Sequence, residues 1–252
     1  MSDYYNPQRT RNLYKSGDEK PYKLSRSKID LFVECPRCFY IDRKLGVGRP
    51  PGFPFNLNTA VDSLLKTEFD SYRARGVRHP LMERYGVEAV PYAHPDLDKW
   101  RHNFTGVQYL HESTNLLIHG AIDDVWQNPD GELIVVDYKS TSKSEEITAL
   151  DKDWHAGYKR QMEIYQWLLR HNGFKVSNTG YFLYCNGKAD NEAFNARLEF
   201  DLTLIPYSGN DGWIEGVISD IHRCLNSDLI PEQSANCDYC AYIDAAIGVS
   251  EE

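Results

Sequence analysis

The sequence predicts an α/β fold, and three observations carry that reading. Apolar residues recur with helical spacing early in the chain. Two strand-like runs joined by turn residues occupy its middle, and helix and strand patterns alternate beyond them. With 252 residues, of which 41% are hydrophobic and 13% aromatic, the chain can bury one sizeable core.

Taken in order, residues 1–23 are polar without usable periodicity and read as a flexible tail. Ser25 or Ser27 can cap a helix that carries Ile29, Leu31, Phe32 and Val33. A Cys-Pro-Arg-Cys turn at 35–38 interrupts it, and helix resumes from Phe39 to Leu45. The stretch 46–55 holds three prolines and three glycines, so it reads as a rigid loop. Leu57, Val61, Leu64, Leu65 and Phe69 then fall on one face of a helix. A strand over 116–126, the turn Asn128-Pro-Asp-Gly131 and a strand over 132–139 form a hairpin pattern. A helix over 154–171 turns Met162, Tyr165, Leu168 and Leu169 inward, and strands near 178–186 and 196–205 precede a helix over 211–225. The expected organisation is one domain over 24–245 and a short tail over 246–252.

The formal charge is −9, from 28 basic and 37 acidic residues. This argues against a protein that coats nucleic acid through bulk electrostatics. It is compatible with an enzyme that has a local basic groove and a carboxylate metal site. No run approaches the roughly 20 apolar residues of a membrane span, and the first twenty residues lack the apolar core of a secretory signal. A cytoplasmic location without a membrane partner is expected. No GxxxxGK[ST] phosphate loop occurs in the sequence, hence no sign of an ATP-driven motor within it.

The hairpin carries the chemistry. Position 130, inside its turn, is the midpoint of 123 and 137, so a simple antiparallel pairing sets Asp123 directly across from Asp137 on one face. Lys139, two residues on, projects from that face too. Two facing acids repel unless a cation sits between them, and a hard divalent ion such as Mg2+ or Mn2+ suits oxygen ligands. With a lysine beside it, the set is one that hydrolyses phosphodiesters. The plain alternative is an edge hairpin with a surface Asp–Lys salt bridge. Asp124 points to the opposite face and is expected to be solvated or ion-paired.

Gly120-Ala-Ile-Asp123, Val136-Asp-Tyr-Lys139 and Gln161-Met-Glu-Ile-Tyr165 resemble, in order, the G-x-I-D, V-D-Y-K and Q-x-x-x-Y elements of the PD-(D/E)XK nuclease superfamily. The likeness is to its RecB-like branch, which includes AddB and the CRISPR adaptation nucleases. It implies a restriction-endonuclease-like core, a mixed central sheet flanked by helices. It implies metal ligation by Asp123, Asp137 and the backbone carbonyl of Tyr138, catalysis by Lys139, and Gln161 and Tyr165 beside the site. Gln161 and Tyr165 share a helix face on spacing alone, where core packing and a plain polar contact are the other readings. The family's early G-T-x-x-H element is matched by Asn58-Thr-Ala-Val-Asp62, so Asp62 stands where a histidine ligand is usual. Aspartate is a reasonable ligand for Mg2+ or Mn2+, so activity need not be lost; an exposed helix charge is the alternative.

Cys35-Pro-Arg-Cys38 and Cys237-Asp-Tyr-Cys240 are paired CxxC elements that can complete a four-thiolate site and clip the terminal segment onto the N-terminal helix. The RecB-like branch implies a second occupant, since several members hold an iron–sulfur cluster on one early and three late cysteines. Cys35, Cys237 and Cys240 match that layout, with Cys38 as substitute for a missing last ligand. Zn2+ and [4Fe-4S] therefore both stay open. Cys185 and Cys224 sit in apolar contexts and read as inert buried thiols, and His119 reads as a packed strand residue.

The expectation drawn from these residues is a Mg2+- or Mn2+-dependent DNA nuclease of repair, recombination or defence, acting on single strands or duplex ends. A helicase or another repair or defence protein is its expected partner. The competing expectation is a non-catalytic nucleic-acid- or protein-binding module that keeps the nuclease fold.

Overall fold

The computed structural model describes residues 8–52 and 55–250. The expected tail therefore lies outside the described residues over 1–7, the expected C-terminal tail over 251–252, and the proline-rich loop at 53–54. In chain order the elements are β1 (Tyr22–Ser25), α1 (Arg26–Glu34), α2 (Pro36–Arg43), α3 (Asn56–Arg73), α4 (Pro80–Arg84), β2 (Val90–Pro91), α5 (Leu97–Arg101), β3 (Val107–His111), β4 (Leu116–Gly120), β5 (Asp124–Gln127), β6 (Leu133–Thr141), α6 (Ala156–His171), β7 (Thr179–Gly187), β8 (Phe200–Ser208), α7 (Ile214–Asn226) and α8 (Asp238–Ser250). The described chain divides into two compact units, one of residues 8–52, 110–119 and 212–250 and the other of 55–109 and 120–211. Among the described residues, no helix is long and apolar enough to cross a membrane.

In the first unit β1 pairs in parallel with β4, Leu24 opposite Ile118, and α1, α2 and α7 pack on one another. Ser25 precedes α1 as expected but makes no side-chain cap. Pro36 starts α2 at the position where a missing N–H costs nothing, so Cys35-Pro-Arg-Cys38 opens a helix; it is not a freestanding turn. The segment read as a tail is held from Gln8 onward. Arg9 binds Asp42, Tyr14 and Ser16 bond Asn226, and β1 begins at Tyr22. Gly46 takes φ +85° where the backbone of Arg9 crosses it, a close approach that leaves no room for a Cβ. Residues 246–250, read as tail, complete α8.

The second unit is built on a five-stranded sheet of order β2-β5-β6-β7-β8. It is mixed: β5–β6 and β7–β8 are antiparallel and β6–β7 parallel, which makes α6 the connection between the two central strands. Leu65 and Phe69 of α3 pack with Leu81 and Met82 of α4 on Trp126, Ile134, Val136 and Tyr138. The alternate β6 residues face α6, which approaches so closely that a Cβ on Gly180 of β7 would collide with Met162 and the carbonyl of Val135. Met162, Tyr165, Leu168 and Leu169 are all buried, as their spacing predicts.

The hairpin needs one correction. The run 116–126 is not one strand, for β4 ends at Gly120, β5 begins at Asp124, and the two belong to different sheets. The register of β5 on β6 is nonetheless the expected one, with Asp124 opposite Val136. The turn is closed by bonds from Gly131 N to Asn128 O (3.0 Å) and from Glu132 N to the Asn128 side chain (2.8 Å). Asp123 sits one step beyond the last ladder pair.

Candidate active site

Strand alternation sends the side chains of β6 to two chemically different environments. Asp137 and Lys139 face α6. Asp137 is fully buried and forms an ion pair with Lys139, itself largely covered. A surface salt bridge, the plain alternative, is therefore not what these residues make. Gln161 donates through Nε2 to Asp137 Oδ1 (2.7 Å) and to the Tyr165 hydroxyl (3.0 Å), while its Oε1 accepts from Lys139 Nζ at 3.4 Å. The amide thus fixes acid and lysine in one hydrogen-bonded group. The ring of Tyr158, one turn before Gln161, lies 4.5 Å from the ammonium. Burial alone would lower the Lys139 pKa. The Asp137 and Asp123 carboxylates outweigh it and raise the pKa above the ordinary lysine value, so the side chain is an ammonium at neutral pH.

Asp123 stands where β5 would continue. Its Oδ2 accepts from the backbone N–H of Tyr138 (2.9 Å), and Arg101 holds its carbonyl (3.0 Å). The other carboxylate oxygen lies 3.5 Å from Lys66, which also binds Asp62 at 2.8 Å. Asp62 and Asp123 are thus bridged by a lysine ammonium. Burial, then the charge of Asp123, raise the Asp62 pKa against the pull of Lys66. Among the described residues, only the four cysteines bring three or more Cys, His, Asp or Glu ligand atoms together; Asp62, Asp123 and Asp137 do not gather as such a group.

Tyr138 turns its side chain the other way. Its hydroxyl donates to Asp124 (2.8 Å), which also accepts from Trp126 Nε1 (3.3 Å), Arg101 (3.0 Å) and Arg73. Asp124 is fully buried; of the two expected readings it is the ion-paired one.

Sequence reasoning missed four contributors. Lys66 was legible as an i+4 partner of Asp62, and Tyr158 as an i−3 neighbour of Gln161. Arg101 carried no signal, because only tertiary folding brings it to Asp123 and Asp124. Tyr184 lies opposite Lys139 in the β6–β7 register. Its buried hydroxyl has no hydrogen-bond partner among the described residues, and burial, Tyr158 and Asp137 raise its pKa. His119 belongs to β4 of the first unit, buried opposite Ser25; burial, and then the charge of Lys23, lower its pKa to about 4.

The four cysteines converge in the first unit. Cys35 ends α1, Cys38 lies in the first turn of α2, and Cys237 and Cys240 flank the start of α8. All four are buried thiols, with Sγ–Sγ separations of 3.8 Å for Cys35–Cys240, 3.6 Å for Cys38–Cys237 and 3.6 Å for Cys38–Cys240. Arg49 donates to Cys237 Sγ (3.4 Å) and to Glu34 (2.8 Å), with its guanidinium 4.5 Å from the Tyr239 ring. Cys185 is buried, and burial pushes its thiol up to about 12; Cys224 is half-buried and is raised to about 11 by the same cause.

Comparison with known proteins gives one family. The sequence model of the PD-(D/E)XK nuclease superfamily matches residues 23–245, a span that runs through both units. No curated protein matches. Among solved structures, the crystal structure of SSO0001 aligns with a TM-score of 0.37 at 14% identity, covering 91% of this chain and 87% of that one.

Proposed function

The chain belongs to the PD-(D/E)XK nuclease superfamily, and from that premise we propose that it is a metal-dependent DNA nuclease of the RecB-like branch. One arrangement carries the reading: a buried carboxylate and an ammonium two residues apart on β6, locked together by Gln161, with Asp123 at the head of the paired strand. An acid so deeply buried beside a lysine is costly as mere structure, and its natural use is chemical.

Asp123, Asp137, the Tyr138 carbonyl and Asp62 would hold Mg2+ or Mn2+; the donors are all hard oxygens, which fits either ion. When bound, such an ion polarises the phosphoryl oxygen and lowers the pKa of a water. The chain's own groups do the rest. Lys139 would place its positive charge beside the negative charge that accumulates on the phosphoryl oxygens in the transition state. Gln161 keeps that ammonium and Asp137 in register, and Tyr165 orients Gln161. Tyr158 limits where Lys139 can swing. At the N-terminal end of α6 the exposed Trp154 has Lys143 above its ring at 4.8 Å, a pairing suited to a stacked base and its phosphate. Single strands or frayed duplex ends are the substrates we propose, delivered by a helicase or another repair or defence protein.

Lys66 supports a second reading. Its ammonium already offsets part of the charge of Asp62 and Asp123, so the fold can stand without a metal as a non-catalytic nucleic-acid- or protein-binding module. Cleavage of labelled single- and double-stranded DNA with Mn2+ or Mg2+ separates the two. We expect metal-dependent products from the wild type and a loss on the order of 10²–10³-fold in Lys139→Ala. A folded, metal-supplied wild type that leaves both substrates intact, alone and with a helicase present, sinks the nuclease reading.

A further inference from the structure

We infer that the four-cysteine site holds one tetrahedral zinc ion and not the iron–sulfur cluster that likeness to the RecB-like branch suggests. The spacing of the sulfurs carries this. Four thiolates on a single zinc at about 2.3 Å sit about 3.8 Å from one another, the edge of a tetrahedron of that radius. Three of the Sγ pairs are separated by 3.6, 3.6 and 3.8 Å, and all four atoms lie within 4.8 Å of one another. In a four-iron cluster each cysteine binds a different iron, and the body of irons and sulfides pushes the thiolates apart. No space for that body exists between sulfurs already at the spacing of one shared ion.

The placement of the ligands agrees. Cys35 and Cys38 project from the start of α2, Cys237 and Cys240 from the start of α8, each pair one helical turn apart. All four positions are occupied, which is the closed coordination of a structural zinc and leaves no open ligand position for catalysis. The site ties together segments 199 to 205 residues apart, where a link removes much entropy from the unfolded chain. Four thiolates leave a zinc centre with net negative charge in a buried setting. Arg49, bonded to Cys237 and braced by Glu34 and Tyr239, lies where it offsets that charge.

Elemental analysis of the full chain, purified without oxygen from cells supplied with both iron and zinc, tests this. One zinc per chain without acid-labile sulfide is expected. Refilling the stripped protein with Co2+ should give the ligand-field bands of tetrahedral thiolate cobalt. Iron with matching sulfide, a single iron, or a folded chain that carries no metal overturns the inference. Arg49→Met keeps every ligand, so it avoids the folding failure that a cysteine variant risks. It should retain one zinc but lose it to a chelator about 10- to 100-fold faster; an unchanged rate removes Arg49 from the site. Neither readout depends on DNA cleavage, so the inference stands or falls apart from the nuclease reading.

Discussion

Asp123 and Asp124 are neighbours in the chain and opposites in environment. Asp123 is 24% exposed and is held by a backbone N–H and, at 3.5 Å, by one lysine. Asp124 is fully buried and receives two arginines, a tyrosine hydroxyl and an indole N–H. The second arrangement is saturated: every oxygen is spoken for and both charges are fixed by Asp70, which Arg73 and Arg101 also share. The first keeps an oxygen facing a displaceable lysine. The difference teaches how one strand end serves two purposes. One acid anchors α3 and α5 to the sheet, and its neighbour keeps the partial exposure that the proposed metal-binding role requires.

Replacing each acid breaks the comparison most directly. Asp124→Ala should cost about 3–5 kcal/mol of stability, because it strands two buried guanidinium groups. Asp123→Asn should move the denaturant midpoint little while removing metal-dependent cleavage. Equal stability losses at the two positions in chemical denaturation would dissolve the distinction between anchor and ligand.

A smaller effect is expected at Lys66. If its ammonium stands where a cation can bind, Lys66→Met should tighten Mn2+ binding by up to about fivefold in a calorimetric titration, the worth of a partly exposed ion pair. Weaker binding would make Lys66 a helper of the metal and not its competitor.

The smallest effect on stability concerns Tyr184. Its hydroxyl bonds nothing among the described residues, so Tyr184→Phe should leave the melting temperature unchanged or slightly higher. Cleavage should nonetheless fall about 2- to 10-fold, the worth of one hydrogen bond to substrate or water. Unaltered cleavage would make the hydroxyl a buried misfit with no part in the reaction.

Much of the fold was legible because local pattern and burial agree. Leu65 and Phe69 of α3, the apolar face of α6 and the turn at Asn128–Gly131 appear near their predicted places, whereas Leu57 and Leu64, expected on the same face of α3, are exposed. The register that aligns 123 with 137 followed from the turn alone, since a tight turn fixes the pairing of the strands it joins. Less was legible where neighbours in sequence part company. The strand expected over 116–126 splits after Gly120, and nothing local marks two sheets there. Helix α8 was missed because its apolar residues favour no face; it is held by Cys237 and Cys240 at its start. The ordered arm from Gln8 was missed because its partners, Asp42 and Asn226, are 33 and 210 or more residues away.

The sequence by itself determined which residue types share a strand face. Alternation of side chains every second residue puts Asp137 with Lys139, and the helical repeat puts Gln161 with Tyr165, whatever the rest of the chain does. It also determined that two CxxC pairs exist to be joined. Only the tertiary structure decided what those groups meet. Gln161 reaches Asp137 because α6 packs on β6, Lys66 bridges Asp62 to Asp123 because α3 packs on the sheet at β6 and β2, and four sulfurs converge because Cys35 and Cys38 at α2 meet Cys237 and Cys240 at the start of α8. Side-chain direction is a property of the local backbone, but the distance between charges far apart in sequence depends on how the whole core packs, and on that distance rest both the pKa values and the ion that each site accepts.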